Sequence, residues 1–220
     1  MKPATQQRLL IDGAAGTLDI VVNDPGAETG TSPAPIRRGL ALIAHPHPLF
    51  GGTLDNKVVQ TIAKTFHAQG YVAVRMNFRG VGASSGAHDE GDGETEDWLV
   101  VADEMRLRYG PLPLLLAGFS FGAYVQTRVA KQLLEIGAPA ARLLLVAPPV
   151  GRFQLELVTQ GTLIIHGESD DVVPLPDVLA WARPQRLPVV VLPGAGHFFH
   201  GNLVELQRII QHSCSCMGAE

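Results

Sequence analysis

Serine, histidine and aspartate residues at strand-like run ends give this sequence the makings of nucleophilic chemistry. Ser120 stands in Gly118-Phe119-Ser120-Phe121-Gly122, directly behind the apolar run Leu114-Leu115-Leu116-Ala117 and ahead of a helix-like segment. A serine at a sharp strand-to-helix turn sits in a strained backbone conformation, with its hydroxyl lifted out of the sheet edge. Side chains two positions to either side would collide there, so Gly118 and Gly122 make the turn possible. The turn also leaves the free N–H groups of the following helix close to the hydroxyl, where they stabilise negative charge. The plainer reading of the same five residues is a tight turn in an ordinary α/β domain.

A serine hydroxyl is a poor nucleophile near neutral pH; it needs a base to take its proton and a group to orient that base. Such groups gather beyond the C-terminal ends of parallel strands. The strand-like run Leu163–His166 leads into Gly167-Glu168-Ser169-Asp170-Asp171, so the orienting carboxylate is Asp170 or Asp171, unless both simply form the turn. The preceding strand end, Ala147-Pro148-Pro149-Val150, carries no carboxylate. The last strand-like run leads into Pro193-Gly194-Ala195-Gly196-His197, where an imidazole can swing over a serine; His200 is the rival base, while His67 and His212 fall in helical patterns and read as surface or packing residues.

These groups need a scaffold, and the chain supplies one. Short apolar runs alternate with helix-length segments, as in a parallel sheet covered on both faces. Strands are expected at Arg8–Asp12, Thr17–Val22, Gly39–Ala44, Val72–Asn77, Leu112–Ala117, Leu143–Ala147, Leu163–His166 and Val189–Leu192. Helices are expected at Asn56–Ala68, Glu94–Tyr109, Tyr124–Leu134, Val178–Ala182 and Leu203–His212, with Asp24–Arg38 a Pro/Gly/Ser/Thr-rich loop. The 220 residues suffice for one domain, 1–220, and no repeat or second core is visible. A charged content of 17% and a net charge of −4 give no electrostatic reason to expect nucleic acid or an anionic membrane. No run of 18 apolar residues marks a membrane span, and residues 1–7 lack the apolar stretch of a secretory signal, so a cytoplasmic protein is expected. Cys214 and Cys216 are read as reduced thiols, because a C-x-C pair near a chain end staples little.

Ala44-His45-Pro46-His47-Pro48, Asn77-Phe78-Arg79-Gly80-Val81-Gly82-Ala83-Ser84-Ser85-Gly86, Gly118-Phe119-Ser120-Phe121-Gly122, Gly167-Glu168-Ser169-Asp170 and Gly196-His197-Phe198-Phe199 together resemble the α/β-hydrolase superfamily. Within it, the chain is most similar to small, lidless bacterial serine hydrolases carrying a His-Pro-His-Pro element. The resemblance runs from about Arg8 to about Gln211. It implies an α/β-hydrolase fold: a mostly parallel eight-stranded sheet, first strands antiparallel, helices on both faces and no lid domain. It favours Asp170 over Asp171 by the spacing after Gly167, and the order Ser120…Asp170…His197 is the one expected of the fold. One oxyanion N–H should come from Phe121 and the other from the loop after Gly39–Ala44. Pro46 and Pro48 have no N–H, which leaves His47 as the donor between them, with Leu49 as the alternative. Members with a lid insert it between the sixth and seventh strands; the short connection Pro148–Gly161 leaves no room, so an open site is expected.

Phe50, Phe119, Phe198 and Phe199 flank the catalytic candidates and are the candidate pocket lining, although such aromatics are often core residues. The expected chemistry is cleavage of carboxylic esters or thioesters with small acyl groups through an acyl-enzyme, with no cofactor. An acyltransferase or peptidase would use the same triad, and a non-catalytic binding protein could keep the fold. A zinc site at His45-x-His47 lacks further ligands nearby, and the acidic run His88–Glu94 lacks the alternation of a calcium loop and reads as a solvated helix start. Arg79, between glycines, is expected to anchor its loop and carries no catalytic role. The oligomeric state is open, a monomer being compatible with the sequence.

Overall fold

The computed structural model describes residues 6–27 and 36–215, with side chains to 213. Residues 28–35 of the expected loop, Cys216 and the side chain of Cys214 lie outside the described residues. Eight strands form one sheet: β1 (Gln6–Gly13), β2 (Gly16–Asn23), β3 (Gly39–Ala44), β4 (Tyr71–Met76), β5 (Leu114–Phe119), β6 (Arg142–Val146), β7 (Thr162–Gly167) and β8 (Val189–Leu192). Their spatial order is β1-β2-β4-β3-β5-β6-β7-β8, with β1, β2 and β4 paired antiparallel and all later neighbours parallel. The helices are α1 (Lys57–Ala68), α2 (Asp92–Tyr109), α3 (Phe121–Glu135), α4 (Leu175–Ala182) and α5 (Leu203–Ser215).

The central strands are apolar on both sides because both sides are covered. In β3, Leu40, Leu42 and Ala44 enter a core completed by α2, α3 and α4, while Ala41 and Ile43 face one completed by α1 and α5. In β5, Leu114 and Leu116 go one way, and Leu115, Ala117 and Phe119 the other. The six-residue apolar run therefore reads as a strand buried on two faces, and its C-terminal end delivers Ser120.

Boundaries moved where local chemistry competes with pattern. Pro113 has no N–H for a ladder, so β5 begins at Leu114 instead of Leu112, and the Pro113 carbonyl accepts from Leu40 N–H at 2.9 Å. At its other end β5 extends to Phe119, paired with Val146. Asn77, expected in β4, turns away to serve as a junction: its Nδ2 donates to Asp19 at 2.7 Å and its Oδ1 accepts from Leu54 N–H at 2.9 Å. The acidic run that leads into the first turn of α2 is not all solvated. Glu94 is fully buried, with Oε2 accepting from Gly91 N–H at 2.9 Å and Oε1 from Asp89 N–H at 3.0 Å, so it caps the first turn of α2.

Arg79 does anchor its loop. Its Nε and Nη2 donate to Asp97 of α2 at 2.9 and 3.0 Å, a two-pronged pair whose carboxylate is wholly buried. Removing one partner of such a pair strands the other charge in a low-dielectric site. Asp97→Ala is expected to lower unfolding free energy in urea by about 3–5 kcal/mol. Removing the exposed Lys131–Glu156 pair is expected to cost no more than about 1 kcal/mol.

Candidate active site

Ser120 occupies the single position between β5 and α3, with φ 54° and ψ −122°. A positive φ is costly for a residue with a Cβ and persists only where the surroundings enforce it. Here the enforcing contacts are backbone on backbone. A Cβ at Gly118 would lie 2.3 Å from the Gly122 carbonyl oxygen, and one at Gly122 would lie 2.4 Å from that of Ala44. No side chain fits at either place, so the Gly-x-Ser-x-Gly spacing follows from the turn itself.

His197 Nε2 lies 3.0 Å from the Ser120 hydroxyl, and His197 Nδ1 lies 2.8 Å from Asp170 Oδ2. Asp170 Oδ1 accepts from Val172 N–H at 2.9 Å and Val173 N–H at 2.7 Å. Asp171 and His200, the rivals, are exposed and outside this chain of contacts. Burial alone would raise the Asp170 carboxyl; the hydrogen bond from His197, the backbone N–H groups and the attraction to His197 outweigh it and hold the group below the ordinary carboxylate range. An ionised Asp170 accepting at Nδ1 sets the imidazole with its proton on Nδ1 and a lone pair on Nε2, facing the serine.

The aspartate and histidine loops come from different strand ends but are stitched together. Ser169 N–H donates to the Ala195 carbonyl at 2.9 Å, Glu168 N–H to Leu192 at 3.0 Å, and Gly194 N–H to the Glu168 carboxylate at 2.8 Å. Phe119, beneath, places its ring 5.2 Å from that of His197.

A solved α/β serine hydrolase homologue from Coxiella burnetii is 40% identical to the chain with a TM-score of 0.83, the match covering 94% of this chain and 96% of that one. A serine hydrolase without a lid from Xanthomonas campestris is 34% identical with a TM-score of 0.88, covering 100% of this chain and 98% of that one. The chain belongs to the α/β serine hydrolase family. Residues 51–154 of this hydrolase match the family described as serine aminopeptidase, S33. An uncharacterized protein of Rickettsia prowazekii is 32% identical over 195 residues, 82% of this chain and 79% of that protein. No helix among the described residues is long and apolar enough to cross a membrane.

Beside Ser120 the hydrolase has a cleft of about 330 Å³, lined by His47, Phe50, Phe121, Pro149, Arg152, Phe153, Val172 and Val173. The connection after β6 forms one wall of it as a tight turn, in which Arg152 and Phe153 N–H both donate to the Pro149 carbonyl at 3.2 Å. Of the four phenylalanines expected to line a pocket, Phe50 does. Phe119 and Phe199 do not: both are fully buried in the core shared with α1 and α5, because alternation sends Phe119 under the sheet end and the turn at Phe199 tucks its ring inward. Phe198 is exposed and lies edge-on to His197, 5.1 Å between ring centres, outside the cleft lining. Phe153, Arg152 and the Val172–Val173 pair escaped the sequence reading. They follow the ends of β6 and β7, where the strand-end rule that located Asp170 applies equally.

The histidines after β3 divide their work. His45 is fully buried; Phe78 N–H donates to its Nε2 at 2.9 Å, and its Nδ1 lies 2.6 Å from the Pro46 carbonyl, so neither nitrogen is free to ligate. It ties the loop after β3 to the loop after β4, and burial lowers its pKa to about 4. His47 is on the rim, packed 4.8 Å from Phe121 and 4.7 Å from His88. Burial and His88 together lower its pKa, against the pull of Glu90 and Glu94. Leu49 N–H is turned toward His47 Nδ1 at 3.3 Å, which occupies the alternative oxyanion donor. His166, unremarked in the sequence, is also fully buried, with Nε2 2.9 Å from the Val173 carbonyl and 3.5 Å from Asp170 Oδ2. Burial lowers its pKa, so a neutral His166 backs the aspartate loop.

A buried histidine with a depressed pKa stabilises the fold above its unfolded pKa of 6.5, and that stability drains away as pH falls toward the folded value of about 4. Between pH 7 and 4.5, His45 is expected to cost roughly 2–3 kcal/mol. His45→Gln is expected to show a shallower loss of urea stability over that window; parallel curves would assign the acid sensitivity to other groups.

Proposed function

We propose that the protein hydrolyses carboxylic esters or thioesters with small acyl groups through a Ser-His-Asp triad. The observation that carries this reading is the continuous hydrogen-bonded chain from Ser120 through His197 to Asp170 at an open cleft. In the proposed reaction Ser120 attacks the carbonyl carbon while His197 Nε2 takes its proton, and Asp170 stabilises the imidazolium without being protonated. The oxyanion is received by the N–H groups of Phe121, at the start of α3, and His47. His197 then protonates the leaving group, and a water deprotonated by the same imidazole attacks the acyl-enzyme, releasing acid and free serine. The fit to small acyl groups rests on the cleft's volume and its ring-lined walls. The family description as serine aminopeptidase gives the second reading, cleavage of an N-terminal peptide bond by the same groups.

A fluorophosphonate probe followed by mass spectrometry is expected to leave one adduct, on Ser120. Ser120→Ala and His197→Ala are each expected to abolish labelling and lower kcat on a short-chain aryl ester by about 10⁴–10⁶-fold. No adduct on folded wild-type protein would overturn the triad, and turnover of aminoacyl amides with none of esters would select the peptidase reading. For the oxyanion donor two variants separate ring from backbone. His47 has φ −52°, which proline accommodates, so His47→Pro removes the N–H without forcing the chain, whereas His47→Ala removes only the ring. His47→Pro is expected to lower kcat about 10²–10³-fold below His47→Ala; equal values would move the donor elsewhere.

A further inference from the structure

The cleft beside Ser120 is lined by rings and aliphatic side chains with one permanent charge among them. Arg152 sits in the turn after β6, between Pro149 and Phe153, both of which also face the cleft. The side chain is exposed, and its Nε donates to the Val172 carbonyl at 3.2 Å, so the guanidinium bridges two residues of the cleft lining. The backbone beneath it is equally defined, by the Arg152 N–H to Pro149 bond and the Val150–Phe153 bridge.

What Arg152 lacks is an acid. No carboxylate lies within 4.0 Å of it among the described residues, and Asp171 and Asp177, on the neighbouring segment, are exposed and form no ion pair with it. Arg79 shows the contrast, with Nε and Nη2 both on Asp97. With Nε committed, the Nη groups of Arg152 keep donors in the planar fork that matches a carboxylate or phosphate. None of the cleft-lining side chains is acidic. Next to it is an aromatic surface: Phe153 packs 5.2 Å from Phe121 and 4.8 Å from Tyr124, and Phe121 packs 4.8 Å from His47.

We infer that this cleft selects an anionic substrate, an ester whose apolar portion lies on Phe121 and Phe153 while a carboxylate or phosphate group away from the scissile bond is held by Arg152. The inference rests on the ester-hydrolase reading and narrows its substrate class; Arg152 sets specificity and takes no part in bond making.

Binding without turnover separates the two ideas. The probes are 3-phenylpropionate, its phosphonate analogue 2-phenylethylphosphonate, and the neutral 3-phenylpropionamide, titrated into the full chain by ligand-observed NMR. Wild type is expected to bind at least one of the two anions about tenfold or more tighter than the amide, with the stronger of the two identifying the acid group. In Arg152→Gln the preference should fall to near one, and in Arg152→Lys it should be partly retained, since the charge stays and the fork is lost. Equal affinity of both anions and the amide for wild type, or a preference that survives Arg152→Gln, would overturn the inference. Fluorophosphonate labelling of the same preparations reads the other question: an unlabelled Ser120 would remove the hydrolase mechanism while the titration still decides whether Arg152 holds an anion.

Discussion

Gly122 presses its Cα against the backbone carbonyls of Ala44 and His45, with no room for a Cβ. That contact joins the two segments on which the site depends, the turn carrying Ser120 and the loop after β3 carrying His47. Because both partners are backbone, the spacing does not vary with side-chain rotamers, and the strain of Ser120 at φ 54° is held by neighbours that cannot relax. His47 and Phe121, at the start of α3, thereby line the same cleft as Ser120.

Around this contact lies a series of buried polar ties with structural work. His45 bridges the loops after β3 and β4, Asp19 and Asn77 tie β2 to β4, Arg79 fixes the same loop to α2 through Asp97, and Glu94 caps that helix. Each is a polar group taken out of water and paired, which is the condition for burying it at all. Their common effect is to tie the loops after β3 and β4 to each other, to β2 and to α2. The cleft wall that carries Arg152 and Phe153 has its own backbone ties, from the N–H groups of both residues to the Pro149 carbonyl.

The candidate chain of Ser120, His197 and Asp170 was legible because each member has a local signature: glycines two residues either side of the serine, and glycine-rich turns directly after apolar strands for the other two. The lining of the cleft was not. Phe119 and Phe199 sit beside Ser120 and His197 in the sequence yet point into the core, and Phe50, beside neither, faces the cleft. Sequence proximity to a catalytic position says nothing about which way a ring turns, since strand alternation and a single positive φ, as at Phe199, reverse it. Glu94 misread for a similar reason: an acid in an acidic run reads as solvated, and only the positions of the Gly91 and Asp89 N–H groups reveal it as a buried cap.

The sequence by itself determined the α/β class and where the strands fall along the chain, because apolar runs of five or six residues between helical segments must be covered on both faces, and a Gly-x-Ser-x-Gly behind such a run admits few backbones; the order of the strands in the sheet, with β4 between β2 and β3, came from the tertiary structure. The residues by themselves left two aspartates open, the family resemblance leaned to Asp170, and the tertiary structure shows why that one meets the histidine. Asp170 and Asp171 are chemically the same residue one position apart, and what separates them is that Val172 and Val173 N–H, His197 and the buried His166 converge on one of them and leave the other in water.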